Sequence, residues 1–262
     1  KYMRTFTIGD THGNYRALKQ CLERSNFDYE NDTLIHLGDI CDGWVYVYEC
    51  VEELLKIKNL IPIKGNHDDW FLQWINTGIH PDGWRQGGLG TLKSYGFNCL
   101  GKEWDEFQIK YDEGEVKTNL NPGDLPESHI NFFKKQLNYY VDEENRMFVH
   151  GGFNRHLSLK EHTPYVFYWD RDLIMSAMAY KSMIEKGTLQ GHGKFKMVEN
   201  FKDVFIGHTS TQNWGIMDPI NAANIWNIDT GAGFRGKLTI MNVETKEYFQ
   251  SDENCYPDEQ GR

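Results

Sequence analysis

Five short stretches each place an oxygen or imidazole donor directly after an apolar run. Thr5-Phe6-Thr7-Ile8 leads into Gly9-Asp10-Thr11-His12-Gly13, and the run from Thr33 leads into Gly38-Asp39-Ile40-Cys41-Asp42. The run Leu60 to Ile63 leads into Gly65-Asn66-His67-Asp68-Asp69. Phe148-Val149-His150-Gly151-Gly152 and Phe205-Ile206-Gly207-His208-Thr209 complete the set. One Asp-x-His or Asn-His arises often by chance, whereas an ordered series of such donors after successive apolar runs points to a metal site. The adjoining glycines suit loops that must turn sharply and bring backbone close to an ion or phosphate.

The elements that position these donors follow from the apolar spacing. Tyr15, Leu18, Cys21 and Leu22 recur at helical spacing, which predicts a helix from about Asn14 to Ser25. Strand 33–37, a helix over 45–58 and strand 60–63 continue a βαβαβ order, implying a parallel sheet with right-handed crossovers. In an open α/β sheet the crevice at the carboxyl ends of the strands is where sites are built. His36, inside the second strand, reads as a structural or supporting histidine rather than a ligand. Asp69 to Trp74 is expected to begin another helix.

The stretch 77–123 breaks the rhythm with Pro81, Gly87-Gly88, Gly90 and an acidic run from Glu103 to Glu115, and reads as an inserted cap. Gly87 to Thr91 reads as a packed turn before a helix ending at Ser94-Tyr95-Gly96. With no basic groove alongside, Trp70, Trp74, Trp84, Tyr95 and Trp104 read as cap core rather than as a base-stacking platform. A helix from the Asp124-Leu125-Pro126-Glu127 start to about Asn138 precedes a strand pair over 139–141 and 147–149. His156 and His162 read as solvated loop residues. Trp169-Asp170-Arg171-Asp172 opens a further helix, strands follow over 204–206, 223–228, 238–243 and 247–250, and the polar tail from Ser251 is expected to be loosely held.

The 262 residues suffice for one buried core, so a single domain over 1–262 is expected, with the cap at about 77–123. A formal net charge of −10 disfavours a footprint for large nucleic acids. The five cysteines show no paired spacing and read as reduced thiols, which makes a cytoplasmic location the default. No apolar run reaches the length of a membrane span, so no membrane partner is expected.

The series GDTHG, GDICD, GNHD, VHGG and GHT, from Thr7 to about Gly236, resembles the calcineurin-like metallophosphoesterases. Within them it is similar to the branch holding Ser/Thr protein phosphatases, bacteriophage-type phosphatases and diadenosine tetraphosphatases. The resemblance implies an α/β fold of two packed mixed sheets flanked by helices, a four-layer β-sandwich. It implies that Asp10, His12 and Asp39 hold one divalent cation, and that Asp39, Asn66, His150 and His208 hold a second, with Asp39 bridging. Two cations about 3.5–4 Å apart can clamp a phosphoryl group and furnish a bridging hydroxide as nucleophile. The mixed nitrogen and oxygen donors suit manganese, iron or zinc better than calcium. His67 resembles the family's general acid, oriented by Asp42, and Arg171 a phosphate-binding arginine. Cys41 reads as small apolar packing.

Two positions depart from the branch pattern. Gly43 stands where the protein phosphatases usually carry an arginine, and Asp68 where they carry glutamate. Arg171, or else Arg85 or Lys64, is expected to make up for the missing guanidinium, and Gly43→Arg to compensate partly for loss of Arg171. The first functional reading is a metal-dependent phosphomonoesterase of the Ser/Thr protein phosphatase type. Its substrate would be a phosphorylated protein or a small phosphoester. The alternative is a nucleotide or dinucleoside polyphosphate hydrolase resembling diadenosine tetraphosphatases. A third reading, motivated by Gly43 and Asp68, is a metal-binding scaffold that has lost turnover.

Overall fold

A computed structural model describes residues 3–101, 109–112, 115–189 and 195–259. The first sheet holds β1 (Thr5–Ile8), β2 (Thr33–His36) and β3 (Asn59–Pro62) in parallel. β11 (Thr239–Asn242) pairs antiparallel with the other side of β1, and β12 (Tyr248–Gln250) antiparallel with β11. The second sheet runs β6 (Tyr139–Val141), β7 (Met147–Val149), β8 (Val204–Ile206), β10 (Ile225–Asn227) and β9 (Ile220–Ala222). It is mixed too, with β7, β8 and β10 parallel and both edge strands antiparallel.

Ile35, Leu37 and Ile63 from the first sheet meet Phe148, Phe205 and Ile228 from the second in one buried layer, with Met241 and Val243. That layer explains why these short strands are largely apolar, since their inner faces are covered by the opposite sheet. The expected two-sheet α/β architecture is therefore present.

The helix α1 (Tyr15–Arg24) starts as its spacing predicts, with the Asn14 side chain accepting from the Ala17 amide and Ala17, Leu18, Cys21 and Leu22 buried. The next, α2 (Val47–Leu54), is shorter than the expected 45–58. Its predecessor Trp44 is withdrawn into the loop packing, its amide on the His12 carbonyl and its indole on Ala232. In contrast α3 (Asn66–Thr77) begins earlier than expected, at Asn66 itself. After α5 (Glu127–Lys135), the helix α6 (Pro164–Trp169) was not foreseen, and α7 (Asp172–Glu185) starts just beyond Arg171.

The stretch 77–123 contains a 3₁₀ turn over Asp82–Arg85, the helix α4 (Gly88–Leu100) and the hairpin of β4 (Lys110–Asp112) with β5 (Glu115–Lys117). Gly87 to Thr91 is thus a helix start, and α4 runs past Gly96. Trp74, Trp84 and Tyr95 are buried with Phe71 and Phe133 in the core against the first sheet, as expected. Trp70 only borders that core, and Trp104, with most of the acidic run from Glu103, lies outside the described residues.

The tail is held more firmly than its polarity suggests. Tyr256 is buried, stacks on Tyr46 at 4.8 Å and lies under the Arg16 guanidinium, while Arg24 pairs with Asp252. One aromatic anchor fixes the tail at least as far as Tyr256.

Candidate metal centre and proton donor

Each sheet delivers donors from the loops that follow its strands. Asp10 and His12 follow β1, Asp39 follows β2, and Asn66 opens α3 after β3. His150 follows β7 and His208 follows β8. Asp10, His12 and Asp39 form one buried group, and Asp39, His150 and His208 a second, each with donor atoms within 4.8 Å of one another. Asp39 belongs to both. Its Oδ2 lies 3.6 Å from His12 Nε2 and 3.3 Å from His150 Nε2, and Asn66 Oδ1 lies 3.1 Å from His150 Nε2.

Hydrogen bonds behind the imidazoles aim them. His12 Nδ1 donates to the Cys41 carbonyl at 2.9 Å and His150 Nδ1 to the Leu37 carbonyl at 2.8 Å, so both Nε2 atoms face the carboxylates. The backbone is bent to the same end. His12, Asp39, Asp42 and His208 all have positive φ, between 48° and 70°, a region that non-glycine residues seldom occupy and that collects at functional sites. Close approach also accounts for two glycines: a Cβ at Gly65 would stand 2.0 Å from Asp39 Oδ1, and one at Gly207 2.1 Å from Asp10 Oδ1.

The buried groups perturb one another strongly. Burial, with Asp229 and Asp39 nearby, pushes the Asp10 carboxyl well above its ordinary range. Burial opposes ionisation of Asp39 too, but His150, His67 and His12 around it hold its carboxyl well below the usual range. His150 loses from burial and gains more from Asp39 and Asp10, which lift it to about 10. His208 Nε2 is buried without a hydrogen-bond partner among the described residues. A buried cluster of carboxylates with an orphaned imidazole nitrogen fits divalent cations, and the donors are those that suit manganese, iron or zinc.

Beside this cluster stands the pair foreseen for proton transfer. His67 Nδ1 donates to Asp42 Oδ2 at 2.6 Å, and both side chains are buried. The other Asp42 oxygen accepts from Trp84 Nε1 at 2.7 Å and Thr91 Oγ1 at 2.6 Å, and Thr91 Oγ1 accepts the Asp42 amide at 2.9 Å. Trp84 and Thr91 both come from the stretch 77–123. The sequence offers no signal for this role, because a buried tryptophan reads as core.

Asp68 also acquires a role. Its two oxygens accept the amides of Asp39, Ile40, Cys41 and Gly65, at 2.9 to 3.1 Å, and the Gln136 side chain at 2.8 Å. It therefore clamps the Asp39 loop to the start of α3, a reason for a carboxylate here that is independent of turnover. His36 is supporting, as expected: its Nδ1 accepts the Gly38 amide and its Nε2 lies 2.7 Å from Thr11 Oγ1. Burial and His150 push it down to about 3, so it stays neutral. Cys41 is buried and free.

Arg171 lies at the rim. Its Nη1 donates to Thr209 Oγ1 at 2.9 Å and to the His208 carbonyl at 3.2 Å, and no ion pair with Asp170 or Asp172 forms among the described residues. Lys64 lies 3.8 Å from Asp69, and Arg85 lines a separate cavity with His80 and Lys117. Gly43 has φ 108°, its amide bonds the Gly87 carbonyl at 3.1 Å, and its own carbonyl would be 2.3 Å from a Cβ at Gly90. A side chain at position 43 is strained, which removes the ground for expecting rescue by Gly43→Arg. His156 is exposed, and His162 closes its own loop by accepting the Asn154 amide.

The fold and the paired donor groups define a metallophosphoesterase. The chain belongs to the calcineurin-like phosphoesterases, whose defining pattern matches residues 3–212, and so is a hydrolytic enzyme of that class. It is 25% identical over 280 residues to the symmetrical bis(5'-nucleosyl)-tetraphosphatase of Coxiella burnetii strain RSA 331, covering 95% of this chain and 92% of that protein. With the protein of the same name from Pasteurella multocida strain Pm70 it shares 24%, covering 94% and 96%. The crystal structure of a protein assigned as a diadenosine tetraphosphatase superposes with a TM-score of 0.63 at 15% identity, covering 95% and 93%.

Proposed function

We propose that this chain hydrolyses dinucleoside polyphosphates with two divalent cations, manganese first and iron or zinc as alternatives. Asp10, His12 and Asp39 would hold one, and Asp39, Asn66, His150 and His208 the other. The observation that carries the reading is the sharing of Asp39 by two buried donor groups. Bound there, divalent cations would neutralise phosphate charge and lower the pKa of water so that hydroxide is available at neutral pH.

The protein's own groups supply the rest. The site's buried carboxylates exclude a bare phosphate, so productive binding depends on the cations and on Arg171, whose planar fork can reach outward phosphate oxygens. His67, with Nδ1 committed to Asp42, has Nε2 left to give a proton to the departing oxygen. Substrate class is supported by the relatives, which match over nearly their whole length and are named for cleaving bis(5'-nucleosyl) tetraphosphates.

One observation favours the second reading, a monoesterase acting on phosphoserine or phosphothreonine. An alkoxide is a far poorer leaving group than a phosphate, so the His67–Asp42 pair would matter more for an ester than for an anhydride. The experiment is a panel of diadenosine tetraphosphate, phosphopeptide and p-nitrophenyl phosphate on the Mn²⁺-reconstituted protein. Faster turnover of the tetraphosphate by tenfold or more in kcat/KM is expected, and a phosphopeptide turned over faster would give the site to the monoesterase reading. The five free cysteines support a reducing, cytoplasmic location. No described helix is long and apolar enough to cross a membrane.

A further inference from the structure

We infer that Trp70, Trp169 and Tyr165 form a stacking subsite for the nucleobase of a substrate whose phosphates occupy the donor cluster. The inference rests on the substrate class proposed above and names the residues that would select it. Trp70, on α3, sets its ring 4.8 Å from that of His67 at 80°, and Trp169, on α6, sets its ring 5.9 Å from that of His208 at 85°. The two indoles meet at 5.4 Å and 61°. Tyr165 stacks on Trp169 at 5.5 Å and 24° and is 58% exposed. A continuous aromatic wall therefore runs from the proton donor, past the second donor group, out to solvent.

The wall is braced rather than loose. Gly83 lies directly against Trp70, where a Cβ would come within 2.5 Å of Cζ2. Tyr168 packs edge-on against Tyr165 at 5.9 Å, and burial, with the Asp69 carboxylate beside it, pushes its phenol up to about 12. Neither the Trp70 nor the Trp169 indole N–H has a hydrogen-bond partner among the described residues. Trp44 contrasts with both, buried in the core with its indole N–H on the Ala232 carbonyl.

The reach of the wall selects its occupant. A phenyl ester holds its ring one bond from the scissile oxygen, toward the His67 end of the wall, where Trp70 stands 4.8 Å from the imidazole. A nucleotide carries its base a ribose further out, on the side of Trp169 and Tyr165, and a bicyclic base matches the face of an indole. Stacking of this kind tolerates any base and needs no basic groove, which answers the sequence argument that set Trp70 aside.

The test compares AMP with ribose 5-phosphate as competitive inhibitors of p-nitrophenyl phosphate hydrolysis by the Mn²⁺-loaded chain. A parallel titration reads indole fluorescence and needs no turnover. AMP should bind roughly tenfold or more tightly than ribose 5-phosphate, the yield of one base–aromatic stack, and quench the indoles. Tyr165→Ala and Trp169→Ala should each remove most of that preference, with circular dichroism confirming the fold. Equal affinities for the two phosphates, or a preference intact in both variants, would overturn the subsite. So would phenyl phosphate binding as tightly as AMP with the same sensitivity to the variants. A preserved AMP preference in a protein that leaves diadenosine tetraphosphate uncleaved would instead sink the substrate proposal and leave the subsite standing.

Discussion

The donor cluster and the His67–Asp42 pair lie side by side but are held by different parts of the chain. The donors stand on loops that leave strand ends, bent into left-handed backbone and fixed by main-chain partners: Cys41 and Leu37 carbonyls behind the imidazoles, and four amides gathered by Asp68. The His67–Asp42 pair depends on side chains from the stretch 77–123, since Trp84 and Thr91 occupy the Asp42 oxygen that His67 leaves open. One half of the site is thus held by the two sheets, and the other by the segment between α3 and α5. Cation binding and leaving-group protonation should therefore be separable by mutation.

The sharpest separation starts with Asp39→Asn, which removes the carboxylate common to both donor groups. Hydrolysis of every phosphoester should fall on the order of a thousandfold or more, as expected for losing several kcal/mol of charge stabilisation. Bound Mn²⁺, read by elemental analysis, should drop below two per chain, and a variant with both ions and full turnover would dissolve the distinction. Trp84→Phe attacks the other half. It keeps most of the ring packing but strips one donor from Asp42, so kcat should fall roughly tenfold to a hundredfold, up to the lower end of the 10²- to 10⁴-fold that general-acid catalysis contributes. The loss should be larger for an alkyl phosphate than for p-nitrophenyl phosphate, whose good leaving group needs little protonation, and metal content should not change. A uniform loss across leaving groups would mean that Trp84 merely supports the fold. The smallest effect is expected for Arg171→Ala, which belongs to neither half. A lost charged hydrogen bond of about 1.5–3 kcal/mol predicts a fall in kcat/KM of about tenfold to a hundredfold, at the lower end given its exposure. Wild-type kinetics in this variant would take Arg171 out of phosphate binding.

Burial explains the two departures at Gly43 and Asp68. Read in sequence, both suggested a weakened site. In the structure, Gly43 lets the start of α4 approach the Asp42 loop, with its carbonyl and amide facing Gly90 and Gly87. Asp68 has the reach to satisfy four amides that would otherwise be buried without partners. Both residues are tied to the neighbouring segment, which a motif written along one loop does not contain.

By itself the sequence determined most of the strands and the order of the donors, and its resemblance to a family implied the two-sheet fold; the strand read over 223–228 is instead the turn after β9 and the strand β10, and the β4–β5 hairpin was not foreseen. Short apolar runs followed by glycine and a ligand-type residue have few ways to fold, and a period of two or of 3.6 is local information. It set His67 next to Asn66 and Asp42 three residues after Asp39, so the candidates for the site were legible before their contact was. Only the tertiary structure decided what supports them. That Trp84 is bonded to Asp42 across 42 residues, that Trp70 and Trp169 meet although a hundred residues of chain lie roughly between them, and that Tyr256 anchors the tail under Arg16 are all contacts between distant segments. Aromatic residues have the same periodicity whether they fill a core or line a site. Which of the two they do depends on which surface the rest of the chain leaves uncovered, and that is settled by packing.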